Sequence, residues 1–145
     1  EKFMEEILVQ LERGGQFFQL DEKAEFVLSI EQRRIQDYCQ TKKKQLRLFR
    51  GTVDDTGRIY TYGVLFAEMY VSELGNFLLK EYPEMDFVVM IDPGKMKMSL
   101  RSRKGSMVDV GSIARYLQGG GREATAGCPL NGQSKYQFLD RLLVF

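Results

Sequence analysis

Three consecutive glycines, Gly119, Gly120 and Gly121, run into Arg122 and then into the small residues Ala124, Thr125, Ala126 and Gly127. Such a run lets the backbone take positive φ and turn several N–H groups toward one point, forming a concavity that binds anions. Arg122 adds at its edge a planar fork of donors suited to a phosphate or a carboxylate. A helix C-cap followed by a loose turn accounts for the glycines equally well on structural grounds. Upstream, Lys97, Ser99, Arg101 and Arg103 alternate with Met98, Leu100 and Ser102. On a strand that alternation puts the basic residues and Ser99 on one face. On these grounds the candidate binding residues are Ser99, Arg101, Gly119, Gly120, Gly121, Arg122 and Thr125, with Lys97 and Arg103 beside Arg101.

The 145 residues include no histidine and two cysteines, Cys39 and Cys128. Without imidazole the chain cannot supply a Ser-His-Asp or Cys-His pair, a His-containing zinc site, or the usual general base with a pKa near neutrality. Catalysis within it would have to rest on carboxylates, Lys, Tyr or a bound cofactor, and no catalytic or metal-binding residue is assigned. The two cysteines read as free thiols in a reducing cytosol.

The net charge of +1 conceals a polarised distribution. Residues 93–122 hold Lys95, Lys97, Arg101, Arg103, Lys104, Arg115 and Arg122 against the one acid Asp109, and residues 42–50 add five basic side chains and no acid. A basic face on a near-neutral domain suggests an anionic ligand of limited size more than long duplex.

The elements that must position these groups follow from periodicity. Phe3, Ile7, Leu8 and Leu11 predict a helix over 2–13, ended by Gly14 and Gly15. Asp21 caps a longer helix running to about Gln45, which reads either as a connector between lobes or as a helix packed along the domain. Strands are expected at 46–53 and 59–67 around the turn Asp54-Asp55-Thr56-Gly57. Ser72 is expected to cap a short helix that exits at Pro83. The apolar run Phe87 to Ile91 predicts a strand buried on both faces. After the turn Asp92-Pro93-Gly94-Lys95, a strand buries Met96, Met98 and Leu100. Asp109 caps a helix with Val110, Ile113, Ala114 and Leu117 inward. A last strand spans 124–130, and Ser134 opens a terminal helix carrying Tyr136, Leu139, Leu142 and Leu143. The expected fold is α+β, a mixed sheet of about four or five strands with helices over one face, residues 1–45 forming a separate helical segment from 46–145. The composition, 43% hydrophobic and 28% charged, is globular. No run of about 18 apolar residues is present, so the chain reads as soluble, without a membrane partner. Beginning at Glu1 without a signal-like stretch, it reads as a segment of a longer cytoplasmic protein.

Taken together, Ser99-Leu100-Arg101-Ser102, then Asp109-Val110 and Ile113-Ala114, then Gly119-Gly120-Gly121-Arg122 with Ala124 and Ala126-Gly127 resemble the C-terminal DHH-associated domain of the DHH phosphoesterase superfamily. Upstream, Tyr62 to Ala67, Val71 to Asn76 and Asp86 to Val89 resemble the preceding strand, helix and strand. This superfamily includes oligoribonucleases, nucleotide bisphosphate phosphatases and exopolyphosphatase-related proteins. The resemblance implies that a separate N-terminal lobe carries the manganese and the chemistry, while this domain holds the phosphates or terminal base of a short oligonucleotide or small nucleotide through Arg101 with Ser99 and Ser102 on the strand and the Gly119 to Gly121 loop with Arg122. It also implies that 1–45 is the end of the catalytic lobe and its linker helix, and it leaves a homodimer open. Arg122 stands where most hydrolytic members have His; it keeps a permanent charge and loses any general-acid role. An Arg after a glycine run also resembles the C-terminal domain of alanyl-tRNA synthetase, which would make the chain an RNA-binding module instead.

Overall fold

The computed structural model describes residues 21–144, so the helix expected over 2–13 lies outside the described residues. The chain divides into two compact units, residues 1–37 and 38–145. In the first, Asp21 caps α1 (Glu22–Lys43) as expected, its carboxylate accepting from the Ala24 amide at 2.7 Å.

The second unit is built on six strands: β1 (Arg47–Gly51), β2 (Tyr60–Phe66), β3 (Phe87–Asp92), β4 (Lys97–Ser102), β5 (Gly120–Gly121) and β6 (Thr125–Pro129), in the order β1-β2-β3-β4-β6-β5. All neighbours are antiparallel except β2 and β3. That parallel pair requires a crossover, supplied by α2 (Val71–Glu81). The remaining helices are α3 (Val110–Tyr116) and α4 (Gly132–Ser134), which continues as a π-helical turn over Lys135–Asp140. The strand count exceeds the expected four or five by β5, whose two glycines carry no side-chain pattern to read.

Registers sort the side chains onto two faces. Opposite one another on the first are Val64 and Val89, Tyr62 and Phe87, Ile91 and Met98, Leu100 and Ala126. This face carries the main core, closed by Val110, Ile113 and Ala114 of α3, by Leu117 just after it, and by Phe138 and Leu142. The Tyr62 ring stacks on Phe87 at 5.2 Å between centroids, and Phe138 meets Tyr62 edge-on at 5.7 Å. Each such fully buried large apolar side chain stabilises the fold by roughly 1.5–3 kcal/mol. In the C-terminal helical segment Ser134, Phe138 and Leu142 are buried at a spacing of four, whereas Tyr136 and Leu143 point outward.

The second face holds Val88 opposite Arg101, Met90 opposite Ser99, and Arg101 opposite Thr125. Here α2 packs so closely that a Cβ on Gly75 would lie 2.8 Å from Cγ of Arg101. Helices therefore cover both faces, not one, because α3 and α2 leave the sheet on opposite sides. All six β3 residues are buried, as the continuous apolar run requires. Met96, expected inside, is 54% exposed with φ 50° in the turn before β4.

Candidate functional site

The outer part of the second face, beyond α2, is open. Between α2 and the ends of β4 and β6 lies a cleft of about 600 Å³. One wall is Ser72, Asn76, Leu79 and Lys80 of α2; the other is Arg101 to Lys104 with Ala124 and Thr125. Lys80, Arg101, Arg103 and Lys104 line it, and no Asp or Glu does.

Arg101 forms its floor. It leaves β4 on the open face, passes under Gly75 and ends half-buried, with Nη1 3.3 Å from the Leu100 carbonyl and Nη2 3.4 Å from Oγ of Ser72. Both contacts are long for a guanidinium. Burial lowers its pKa, a shift that the charge of Glu73 opposes. Glu73 does not line the cleft, so a partly desolvated cation faces it without a contacting carboxylate among the described residues. An anion placed there would supply that missing charge.

Arg103, beside Arg101 in the sequence reading, has a different task. Its Nη1 donates to the Met85 carbonyl at 2.6 Å, and its Nη2 to Leu79 and Tyr82 at 2.6 and 2.9 Å. These carbonyls lie at and just beyond the C-terminal end of α2, where a cation also complements the helix dipole. Ser102 is buried, its Oγ lying 3.2 and 3.1 Å from the carbonyls of Val108 and Glu123. Its single proton can serve one of them at a time. It ties together the two loops that border the cleft.

Ser99 sits on the Arg101 face but in a smaller neighbouring hollow of about 150 Å³, with Lys97, Asp92 and Glu68. The glycines do not form the expected nest. Gly120 and Gly121 pair with Gly127 and Ala126 as an edge strand, and only Gly121 of the three has φ in the left-handed region, at 148°. The Gly119 amide is used at 2.7 Å by the Ala114 carbonyl, closing α3. A Cβ on Gly119 or Gly121 would collide with the β6 backbone, whereas one on Gly120 would meet nothing. α3 comes equally close: a Cβ on Gly111 would stand 2.8 Å from the Arg122 carbonyl. Its cap is the expected Asp109, accepting from the Ser112 amide at 3.1 Å. Arg122 bonds through its amide to Thr125 at 2.7 Å, and its exposed side chain has no polar partner among the described residues. It lies at the β5 edge, outside the cleft lining.

The structure thus brings Arg101, Ser102 and Thr125 to one cleft, sets Ser99 in the next hollow, and leaves Gly119, Gly120, Gly121 and Arg122 on the adjoining edge. Sequence reasoning missed Ser72, Asn76, Lys80 and Lys104. Ser72 was expected to cap α2, but Tyr70, with φ 52°, occupies that position without a side-chain bond. Ser72 is thereby left facing the cleft. The chain has no His, and among the described residues no three Cys, Asp or Glu converge. Among the described residues no helix is long and apolar enough to cross a membrane.

No family profile matches the chain. It is 29% identical over 133 residues to oligoribonuclease NrnB of Bacillus subtilis, covering 92% of this chain and 31% of that protein. The chain thus spans about a third of its relative's length. Its fold matches a pGpG-specific phosphodiesterase, PggH, from Vibrio cholerae with TM-score 0.57 and 9% identity, covering 98% of this chain and 48% of that one. Neither likeness supports the alanyl-tRNA synthetase reading. The resemblance carried by β4, α3 and the glycine edge and the similarity to NrnB point the same way, and the likeness to PggH is one of fold.

Proposed function

We propose that this domain is the substrate-recognition part of a DHH-family phosphoesterase and holds short oligonucleotides or small nucleotides by their phosphates. The observation that carries the reading is the half-buried Arg101 guanidinium on the floor of a cleft lined by Lys80, Arg103 and Lys104 and by no carboxylate. Such a field concentrates anions and costs little reorganisation when one binds. Thr125 and Ser72 add hydroxyls beside Arg101, and Arg122 adds a second guanidinium at the edge. The chemistry belongs to a catalytic lobe outside this segment, where the manganese implied by the superfamily resemblance would reside. The short share of NrnB that the chain spans supports that division.

The test is binding of a 5′-phosphorylated dinucleotide to the chain by calorimetry. Arg101→Ala and Arg122→Ala should each weaken it by roughly 1.5–3 kcal/mol, the worth of a charge-assisted hydrogen bond. Unchanged affinity in both variants would remove the proposal.

A further inference from the structure

Ser72, Asn76 and Lys80 stand at i, i+4 and i+8 along α2, and all three are exposed and line the same wall of the cleft. Residues so spaced form a single stripe on a helix. Among the described residues, Asn76 and Lys80 make no side-chain bond within the protein, and Ser72 contributes only its long contact with Arg101. Eight residues at about 1.5 Å rise make the stripe about 12 Å long.

Its two ends are fixed on the opposite wall. Ser72 adjoins the Arg101 guanidinium. At the other end Arg103 clasps the Leu79 carbonyl, so that Lys80 and Lys104 both border the cleft where α2 finishes. The cleft therefore carries Arg101 beside the start of α2 and Lys80 near its end, with the amide of Asn76 between them along the helix and Lys104 on the opposite wall. A stacked single strand advances by about 3.4 Å per nucleotide, so about 12 Å matches roughly three nucleotide steps.

We propose that the α2 stripe is a second phosphate-binding track, and that Lys80 and Lys104 hold a phosphate one or more nucleotides away from the one on Arg101. The site then takes a phosphorylated oligonucleotide of two to four units in preference to a mononucleotide. The inference rests on Arg101 serving as the phosphate anchor of the proposed function. The motif residues do not encode this length preference; it comes from α2, whose polar spacing looks in sequence like an ordinary solvated helix face.

Affinities of AMP and of the 5′-phosphorylated trinucleotide pApApA for the chain separate the two ideas. The wild type should bind pApApA more tightly than AMP. A Lys80→Ala, Lys104→Ala double variant should lose about tenfold or more for pApApA and stay within about twofold for AMP, the effect of removing a single charge-assisted phosphate contact. Both lysines are on the surface, and an unchanged thermal melt establishes that the variant is folded. An Asn76→Ala variant should fall between wild type and the double variant. Unchanged pApApA affinity in the double variant, or equal losses for both ligands, overturns the track while leaving the anchor intact. Arg101→Ala should weaken both ligands; no effect on either overturns the proposed function and the track with it.

Discussion

Arg103 lines the cleft, yet its guanidinium is committed to the protein, and this separates a brace from a ligand contact. Replacing it with Ala removes three charge-assisted bonds, at 2.6, 2.6 and 2.9 Å, from the carbonyls of Leu79, Tyr82 and Met85. Such bonds contribute roughly 1.5–3 kcal/mol each in isolation. Of the three residues Leu79 lines the cleft, and a carbonyl that regains solvent when the arginine goes recovers part of the loss, so the net cost is about 2–4 kcal/mol, not the full sum. At a slope of about 2 kcal/mol per molar urea, the unfolding midpoint of Arg103→Ala should fall by about 1–2 M, followed by far-UV circular dichroism. Arg103→Lys should recover less than half of this, because one ammonium cannot serve three carbonyls arranged for a planar fork. In the remaining folded protein, dinucleotide affinity should drop less than in Arg101→Ala. A midpoint displaced by less than about 0.3 M, together with lost binding, would refute the reasoning and make Arg103 a ligand contact.

Gly121→Ala should destabilise the domain by about 2 kcal/mol or more, since φ 148° and the β6 backbone both oppose a Cβ, whereas Gly120→Ala should cost under about 1 kcal/mol. Urea midpoints of the two variants, measured side by side, check this contrast. Burial pushes the Cys128 thiol from 9.0 up to about 11. The folded state therefore holds that proton more tightly than the unfolded state. Stability therefore falls by about 2–3 kcal/mol as the pH rises from 9 through 11, because folding then requires the thiolate to take up a proton or be buried charged. Between pH 8 and pH 10.5 the wild-type midpoint should fall further than that of Cys128→Ala; parallel curves would remove this account.

Much of the fold was legible because local and tertiary preferences coincide. The run Phe87 to Ile91 cannot hide from water except in a central strand, and Asp109 before Val110 and Ile113 is both a cap and the start of an apolar stripe. β5 was not legible, because two glycines have no side chains to alternate and their pairing with β6 exists only once α3 has placed them there. Nor was the bond pattern of Arg103, since its carbonyl partners lie 18 to 24 residues away. For the site, the β4 alternation correctly put Ser99 and Arg101 on one face. The α2 wall escaped because it has the same period as any solvated helix face, and only the uncovered half of the sheet gives it an opposite bank.

The glycine edge is fastened to α3 several times over. The Val110 amide bonds the Glu123 carbonyl at 2.9 Å, the Gly119 amide bonds Ala114, and Gly111 admits the Arg122 backbone where any Cβ would refuse it. A two-stranded ribbon alone is marginal in water, but this one is riveted to a helix whose other side is core. Any load applied to the edge by a bound strand passes directly into the packed interior. It acts as a fixed rail and not a flap, so a ligand seated against it does not have to order it first.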